Sequence, residues 1–329
     1  MCHVGIDIAA ASFDMVVRKG DQNEKVITFK QSAAGFDSAI EKLKGCKPIS
    51  IVMEATGIYY FDLARALNKA GLPVCVINPK SFRHFAELRM KTTKTDSVDA
   101  ALLADFGQCM KPRQWIAPDD SAVALRDIGR QINRLTHQKT QAKNRLHALQ
   151  AKSNTQAFII DDEVDGIEHL ERRIQRLTQA AKDQIKGSES LSTPFTNLTF
   201  ANGVGEASGL AILAELIVLP RCLKAPQVAR YAGLDVRLTQ SGTSVNKPGR
   251  LNKSGNSYLR SAMYMPALSA SRCDPNARAF YESLVARGKK KKQAIIAIMR
   301  KYLMGIWACI QTGKPFDASL LFSEAHLKG

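Results

Sequence analysis

The sequence predicts an α/β domain at the N-terminus followed by a mostly helical remainder. Short runs of alternating apolar residues, separated by polar turns, predict strands within residues 1–77. After residue 118, apolar residues instead recur every three or four positions, which is typical of amphipathic helices. The stretch Lys111–Pro118 contains two prolines and separates the two patterns. Over 329 residues we therefore predict three segments: a domain at 1–110, a linker and coiled-coil arm at 111–190, and a C-terminal domain at 191–329.

The predicted N-terminal elements follow a defined order. Strands are predicted at His3–Ala9, Phe13–Arg18 and Lys25–Phe29. They are followed by a helix at 32–43, a strand at 49–54, a helix at 59–70 and a strand at 72–77. Three antiparallel strands followed by alternating helices and strands is the order of a ribonuclease-H-like mixed sheet, so we predict that fold by analogy.

Four carboxylates carry the main functional signal. Asp7 ends the first predicted strand and Glu54 ends the fourth, and these two strands are neighbours in the predicted sheet. Asp96 and Asp99 lie three residues apart where a helix is predicted to begin, so both project from one helix face. Taken singly, an aspartate at a strand end is more simply interpreted as a turn residue, and an aspartate in the first turn of a helix as a capping residue.

The four carboxylates together favour a metal site. Carboxylates held about 4 Å apart repel by roughly 4 kcal/mol per pair at an effective dielectric near 20, so a convergent cluster needs cations. Oxygen ligands suit Mg²⁺ or Mn²⁺ and do not suit zinc. Two such ions could stabilise the entering and leaving oxygens of a phosphodiester transfer.

The charge of the chain indicates its class of partner. Lys and Arg number 47 against 30 Asp and Glu, which gives a net charge of +17 and favours nucleic acid over an anionic membrane surface. The seven cysteines are scattered without a Cys-x-x-Cys pair, which argues against a disulfide framework and a structural zinc site. The first apolar run contains Asp7, and no uninterrupted apolar stretch is long enough to cross a bilayer. We therefore expect a cytoplasmic protein that acts at the nucleoid.

Two basic regions are candidate nucleic-acid contacts. The segment Ser81–Lys94 interleaves basic and aromatic residues, and either follows a phosphate backbone or forms a solvated helix face and loop. Two long amphipathic helices joined near Ser153 predict an antiparallel coiled-coil arm or a dimer zipper, or a hairpin packed on its own domain. The first of these helices carries six basic positions that also suit nucleic acid: Arg126, Arg130, Arg134, Lys139, Lys143 and Arg145.

A polar, basic stretch, Arg237–Asn256, is predicted to be a long loop. It is rich in hydroxyl, cationic and glycine residues and contains no carboxylate. Such a loop can bind phosphates and can present a serine nucleophile, but the residues alone do not select one hydroxyl. A phosphate-binding or disordered loop is the alternative. Helices are predicted around it at 207–219, 257–269, 277–286 and 294–312.

Four segments of the chain resemble the DEDD transposases of bacterial insertion sequences, which act as bridge-RNA-guided recombinases. The segments are Val4–Asp7, Met53–Gly57, Lys94–Ala100, and Ser241–Ser244 with Lys253–Gly255 and Leu259–Arg260 behind it. Their order and spacing cover nearly the whole chain. One departure is that Ile8 and three alanines follow Asp7, where the family often has a lysine, which puts one basic contact in doubt.

The resemblance implies a role for each segment. It implies a RuvC-like N-terminal domain whose Asp7, Glu54, Asp96 and Asp99 bind Mg²⁺, and a C-terminal transposase domain whose Ser241 is the nucleophile that forms a covalent serine–DNA link. It also implies a homotetramer whose active sites are shared between subunits. A noncoding guide RNA, the bridge RNA, pairs with donor and target DNA in such enzymes. The basic residues expected to contact nucleic acid are Arg83, Lys91, Lys94, Lys247, Arg250, Lys253 and Arg260.

Two other functions fit the same residues. A metal-dependent nuclease or junction resolvase would use the four carboxylates to activate water, with Ser241 only binding phosphate. A non-catalytic nucleic-acid-binding protein would use the positive charge alone. The four carboxylates, the serine in the polar stretch and the positive net charge together lead us to predict an RNA-guided DNA recombinase, with these two functions as the alternatives.

Overall fold

The computed structural model describes residues 2–55, 57–90, 96–241 and 245–322 of the chain. The side chains of residues 96, 97, 239, 241 and 245–248 lie outside this description. The chain forms two compact units, Met1–Ala117 and Pro118–Gly329. The long helices predicted at 111–190 belong to the second unit, and the division into three segments stays a prediction.

The N-terminal unit is built on one mixed sheet. Its elements are β1 (Cys2–Ile8), β2 (Ser12–Lys19), β3 (Gln22–Asn23), β4 (Ile27–Lys30), α1 (Ala33–Cys46), β5 (Ser50–Glu54), α2 (Tyr60–Lys69), β6 (Val74–Ile77), α3 (Pro79–Leu88) and α4 (Asp96–Met110). The sheet order is β3-β2-β1-β5-β6, with β4 also paired to β2. Strand β1 is antiparallel to β2 and parallel to β5. The predicted mixed sheet is therefore confirmed, with two corrections: a two-residue β3 is added, and β4 begins at Ile27 because Lys25 lies in the preceding connection.

Capping side chains fix where several helices begin. Ser32 accepts a hydrogen bond from the Gly35 amide at the start of α1, at 3.3 Å. Asn78 accepts one from the Lys80 amide at the start of α3, where Pro79 occupies the first helical position. Both arrangements satisfy amides that the first turn of a helix leaves without a partner. Short polar residues therefore end the preceding connections and begin the helices.

The two faces of the sheet are covered by different helices. Val4 and Ile6 of β1 pack in one core cluster with Leu43 of α1 and Leu63 of α2. On the opposite face, Val52 of β5 packs in a second cluster with Leu102, Leu103 and Phe106 of α4. The strands in the middle of the sheet are therefore buried on both sides, which explains their continuous apolar sequence.

Helix α4 lies directly on the sheet because glycines remove the side chains between them. A Cβ atom on Gly5 would lie 2.0 Å from the carbonyl oxygen of Ala100 and 2.4 Å from the amide nitrogen of Ala104. A Cβ atom on Gly107 would lie 2.7 Å from the Ser50 hydroxyl oxygen. Only glycine permits such a close approach of helix to strand.

The C-terminal unit is mostly helical. Its elements are α5 (Asp120–Gln150), α6 (Ala157–Lys186), α7 (Glu189–Thr199), α8 (Glu206–Leu216), α9 (Ala225–Tyr231), β7 (Val236–Ser241), β8 (Val245–Leu251), α10 (Ser257–Ala262), α11 (Tyr264–Cys273), α12 (Pro275–Ala286), α13 (Lys291–Thr312) and a 3₁₀ turn (Ala318–Leu321). The core is formed around α13, whose Tyr302 and Trp307 are fully buried. The mostly helical C-terminal domain is confirmed.

Helices α5 and α6 form an antiparallel hairpin. Arg145 pairs with Glu163 at 2.7 Å towards the turn, and Gln184 donates to the Ser121 carbonyl at 2.7 Å towards the base. At the base, Leu125 belongs to the same core cluster as Ala214 of α8. The predicted antiparallel pair is confirmed, and its base packs on its own unit. A role in joining two subunits stays a prediction.

Two C-terminal predictions were wrong. The stretch predicted as a long loop contains the antiparallel hairpin β7–β8, in which Val236 pairs with Leu251 and Ser241 with Val245. Its polar sequence concealed the strands because the apolar side chains Val236 and Leu238 are exposed rather than buried. The helix predicted at 257–269 is two helices, α10 and α11, which meet at Met263.

Helix α13 is long and apolar enough to span a membrane by length and composition. The same stretch is largely buried in the core of the C-terminal unit, where Ile298, Leu303 and Ile306 are fully buried. Its apolar character is therefore accounted for by packing within the protein.

Substituting Gly5 tests the contact between α4 and the sheet. We expect Gly5→Ala to lower the free energy of unfolding by about 3 kcal/mol, because the new methyl group meets backbone atoms that cannot move aside. Gly45→Ala is the matched control, since a Cβ there meets nothing within 4 Å, and it should change stability by less than about 1 kcal/mol. Urea unfolding followed by circular dichroism measures both. Equal stabilities would contradict the close approach.

Candidate active site

Asp7 and Glu54 lie on the same face of the sheet. Strands β1 and β5 are parallel neighbours, with Ile6 in register with Met53, so the two acidic residues follow at the same level. Successive side chains alternate between faces. Ile6 and Met53 both pack on the α1 and α2 side, so Asp7 and Glu54 are on the α4 side. The predicted adjacency of the strands that carry these residues is confirmed.

Helix α4 runs antiparallel to β1 and brings Asp99 to the same end of the sheet. Ala100 and Ala104 lie beside Gly5, whereas Gly107 lies beside Ser50 at the start of β5. A strand advances about 3.3 Å per residue and a helix about 1.5 Å, so two residues beyond Gly5 correspond to roughly four residues earlier in α4. That places Asp99 level with Asp7. Asp7, Glu54 and Asp99 are all half-buried at this corner.

The described side chains do not by themselves form a metal site. Among them, no three His, Cys, Asp or Glu residues lie close enough together to hold an ion. Asp96 opens α4, and its side chain lies outside the described part of the chain. Carboxylate donors without histidine or cysteine are the set that suits Mg²⁺ or Mn²⁺. The corner therefore has suitable chemistry, and the four-carboxylate cluster stays a prediction.

A fifth carboxylate, Asp14, borders the corner and was missed in the sequence. It lies opposite Asp7 in the β1–β2 pair, so the two side chains leave the same face of the sheet. Its carboxylate accepts a hydrogen bond from the Thr28 hydroxyl at 2.6 Å. The turn at Ala9–Ser12 sets this register, with the Ala9 amide donating to the Ser12 carbonyl. Counting residues back from this turn along both predicted strands would have placed Asp14 opposite Asp7.

Ser241, the predicted nucleophile, is the last residue of β7 and pairs with Val245 at the tip of the hairpin. Its side chain lies outside the described part of the chain. The hairpin exposes apolar side chains near its base, where Leu238 is 64% and Val236 58% exposed. Ser241 and the acidic corner belong to different units.

A buried polar network supports the region where the hairpin ends. The Arg130 guanidinium donates two hydrogen bonds to Glu215, at 2.7 and 2.9 Å. Asn256 donates to Glu215 at 2.5 Å and to the Tyr231 hydroxyl at 2.9 Å, and its side-chain oxygen caps α10 by accepting from Leu259. The hydrogen bonds to Glu215 raise the pKa of Arg130, and burial raises the pKa of Tyr231. Sequence analysis missed Glu215, although an acid with apolar residues on both sides of it in the sequence is the signal that could have found it.

The predicted nucleic-acid contacts lie in different surroundings. Arg250 and Lys253 are exposed at the end of β8 and just beyond it. Arg260 is half-buried and donates to the Ala232 carbonyl at 2.9 Å. Arg83 is exposed and pairs with Glu87 at 3.1 Å. Lys91 and Lys94, and the side chain of Lys247, lie outside the described part of the chain.

Two predicted nucleic-acid surfaces require correction. Phe82 and Phe85, the aromatic residues expected to lie among the basic side chains of 81–94, are buried in the core and do not offer rings to bases. On α5, five of the six basic residues pair with the chain's own acids: Arg126 with Asp127, Arg130 with Glu215, Lys139 and Lys143 with Glu171, and Arg145 with Glu163. Most of the positive charge on α5 is therefore paired with acids of the same chain.

Removing the Glu215 carboxylate tests the polar network. We expect Glu215→Leu to lower the free energy of unfolding by about 3 kcal/mol, because it leaves the partly buried Arg130 without its counter-ion. Glu282→Leu is the control, since its pair with Arg278 is exposed and contributes less than about 1 kcal/mol. Guanidinium unfolding measures both changes. A small effect at Glu215 would mean that the pair contributes no more than a surface ion pair.

Comparison with known proteins identifies the family. A profile of DEDD-type transposases matches residues 4–154, and the profile of the IS116/IS110/IS902 transposase family matches residues 196–282. The chain is 31% identical to the pilin gene-inverting proteins of Moraxella bovis and Moraxella lacunata, over 96% of this chain and 97% of each relative. The solved structure of Thermus thermophilus RuvC aligns with 35% of this chain and 100% of that chain, at 16% identity and a TM-score of 0.27. The predicted family is confirmed: the chain belongs to the IS116/IS110/IS902 family of transposases, enzymes that act on DNA.

Proposed function

We propose that this transposase breaks and rejoins DNA through a covalent link to Ser241, assisted by Mg²⁺ at Asp7, Glu54, Asp96 and Asp99. The observation that carries the proposal is the placement of Asp7 and Glu54 on adjacent parallel strand ends, beneath the first turns of α4. Carboxylate oxygens are the ligands that Mg²⁺ prefers in proteins. Mn²⁺ has the same preference for oxygen ligands and is expected to replace Mg²⁺.

The serine reaction conserves phosphodiester bonds. Ser241 Oγ forms a bond to the DNA phosphorus while the bond to one deoxyribose oxygen breaks, and the serine proton ends on the released hydroxyl. The hydroxyl of the second strand then forms a bond to the phosphorus while the bond to Ser241 Oγ breaks, and the proton of that hydroxyl ends on Ser241. A metal ion held by Asp7, Glu54, Asp96 and Asp99 would supply Lewis-acid activation of the weakly nucleophilic hydroxyl and would neutralise charge on the phosphate oxygens.

The partners follow from charge and from the division into units. The net charge of +17 suits a large polyanion, and we propose a noncoding guide RNA that pairs with both donor and target DNA. Because Ser241 and the acidic corner belong to different units, we propose that a homotetramer assembles each active site from two subunits. Two relatives are named for gene inversion, so rearrangement of DNA by this chain is part of the proposal.

A nuclease that activates water is the second candidate. It is favoured because all the carboxylates of the corner belong to the N-terminal unit, whereas Ser241 belongs to the C-terminal unit. Water at a metal site would then replace the serine hydroxyl. The two candidates differ in whether a protein–DNA bond forms.

The serine proposal predicts a trapped adduct. With suicide DNA, which loses its released strand, we expect the wild-type protein to accumulate a peptide–DNA adduct at Ser241, and Ser241→Ala to form none. Mass spectrometry of the adduct assigns the residue and separates Ser241 from Thr239, Thr243 and Ser244. Ser190→Ala, in a separate exposed segment, is the control and should form the adduct normally. Continued cleavage by Ser241→Ala would support the nuclease instead.

The metal proposal predicts a separation of activities. We expect Asp99→Asn to reduce the rate of strand cleavage in Mg²⁺ by roughly 10²-fold or more, because negative charge that develops on the phosphate in the transition state loses its stabilisation. RNA binding should be retained. Asp21→Asn is the control, since that side chain is 94% exposed and pairs only loosely with Arg18. Cleavage assays and filter binding measure the two activities. If the variant loses both RNA binding and cleavage, Asp99 is a structural residue.

A further inference from the structure

The C-terminal unit contains a cavity that none of the proposed catalytic residues uses. It has a volume of about 890 Å³ and lies between α5, the α10–α11 region and α13. This is within the range of roughly 300 to 1,000 Å³ that is typical of small-molecule sites. Leu251, at the end of β8, forms part of its wall, so the cavity adjoins the base of the hairpin that carries Ser241.

The cavity wall is positively charged. Arg134, Lys253, Arg260 and Lys292 contribute side chains from three separate segments of the chain, and the lining residues that the structure describes include no Asp or Glu. Arg260 is held in place by its hydrogen bond to the Ala232 carbonyl, at 2.9 Å. Cations around a concavity without a counter-charge favour a ligand with several negative charges, such as a nucleic-acid backbone.

Aromatic residues accompany these cations. Tyr258 and Tyr264 both line the cavity, and Tyr264 is 38% exposed. The Arg130 guanidinium lies 5.1 Å from the centroid of the Tyr258 ring, and Arg130 is itself held by Glu215. Tyr258 therefore belongs to the rigid network, whereas Tyr264 offers an accessible ring. Exposed aromatic rings beside cations are the arrangement on which proteins stack unpaired bases.

We propose that this cavity, the nucleotide pocket, receives one unpaired nucleotide of the nucleic acid that the transposase binds. Its base stacks on Tyr264, and its flanking phosphates contact Arg134, Lys253, Arg260 and Lys292. A base inside a duplex offers only its edges, so the pocket selects an unpaired position. The proposal rests on the nucleic-acid binding proposed above, and RNA and DNA share the chemistry that it recognises.

The pocket is separate from the reacting phosphate. Leu251 pairs with Val236 at the base of the hairpin, and Ser241 lies five residues further along β7. At about 3.3 Å per residue, this separation is roughly 16 Å. The nucleotide in the pocket therefore positions the strand or guide and takes no part in the transfer of phosphate.

Oligonucleotide binding by the full-length protein tests the pocket. The probes are fluorescent RNA and DNA duplexes, each made with and without one bulged nucleotide, and fluorescence anisotropy at fixed salt gives their affinities. We expect Tyr264→Ala to weaken binding of a bulged probe about tenfold and to leave the paired probes unchanged, because only the bulged base stacks on the ring. Tyr264→Phe keeps the ring and should bind like the wild type. The probe that shows the loss identifies RNA or DNA as the source of the nucleotide.

A control and a charge variant complete the test. Phe158→Ala removes a ring that is 69% exposed in the same unit but outside the pocket, and should leave every affinity unchanged. Lys292→Ala should reduce by about one the slope of log affinity against log salt, since one phosphate contact is lost. Equal effects of Tyr264→Ala on bulged and paired probes, or no effect on either, would overturn the proposal. The serine adduct is measured separately, so its failure does not affect this result.

Discussion

The N-terminal unit depends on the close contact between α4 and the central strands of the sheet. Gly5 allows the backbone of α4 to lie against β1 without an intervening side chain, and Gly107 leaves room for the Ser50 and Val52 side chains of β5. That contact sets the height of α4 along the sheet, and therefore the level at which its first turns meet the strand ends. Asp7, Glu54 and Asp99 are brought to one corner by backbone packing, although they are distant in sequence. Side chains placed by packed helices and strands are positioned more precisely than side chains placed by loops.

In the C-terminal unit, polar contacts hold neighbouring helices in position. Glu215 accepts hydrogen bonds from Arg130 and Asn256, which join α5, α8 and the start of α10. The Glu215 side chain is only 3% exposed, so these contacts operate where water does not compete. The hairpin that bears Ser241 and the cavity beside it both adjoin this network. A charged pair within a largely apolar unit thus supports the elements around the proposed nucleotide pocket.

The sequence predicted the N-terminal fold better than the C-terminal one, for physical reasons. Strands such as β1 and β5 are buried on both faces and give continuous apolar runs, and Asp7 and Glu54 mark their ends. The hairpin β7–β8 was missed because its apolar side chains face outward and its sequence is polar. Asp14 and Glu215 were missed because their roles depend on strand register and on tertiary contacts, which periodicity does not contain. The same limitation made the basic face of α5 look available, when internal acids pair with most of it.

The order of the elements has a consequence for synthesis on the ribosome. The N-terminal unit is complete at Ala117, and domains generally fold as units as they emerge. The core of the C-terminal unit instead requires Tyr302 and Trp307 of α13, which are translated long after Ala117. A nascent or prematurely terminated chain therefore presents the acidic corner without a folded support for Ser241. The proposed serine chemistry is in this way reserved for chains in which α13 has been synthesised.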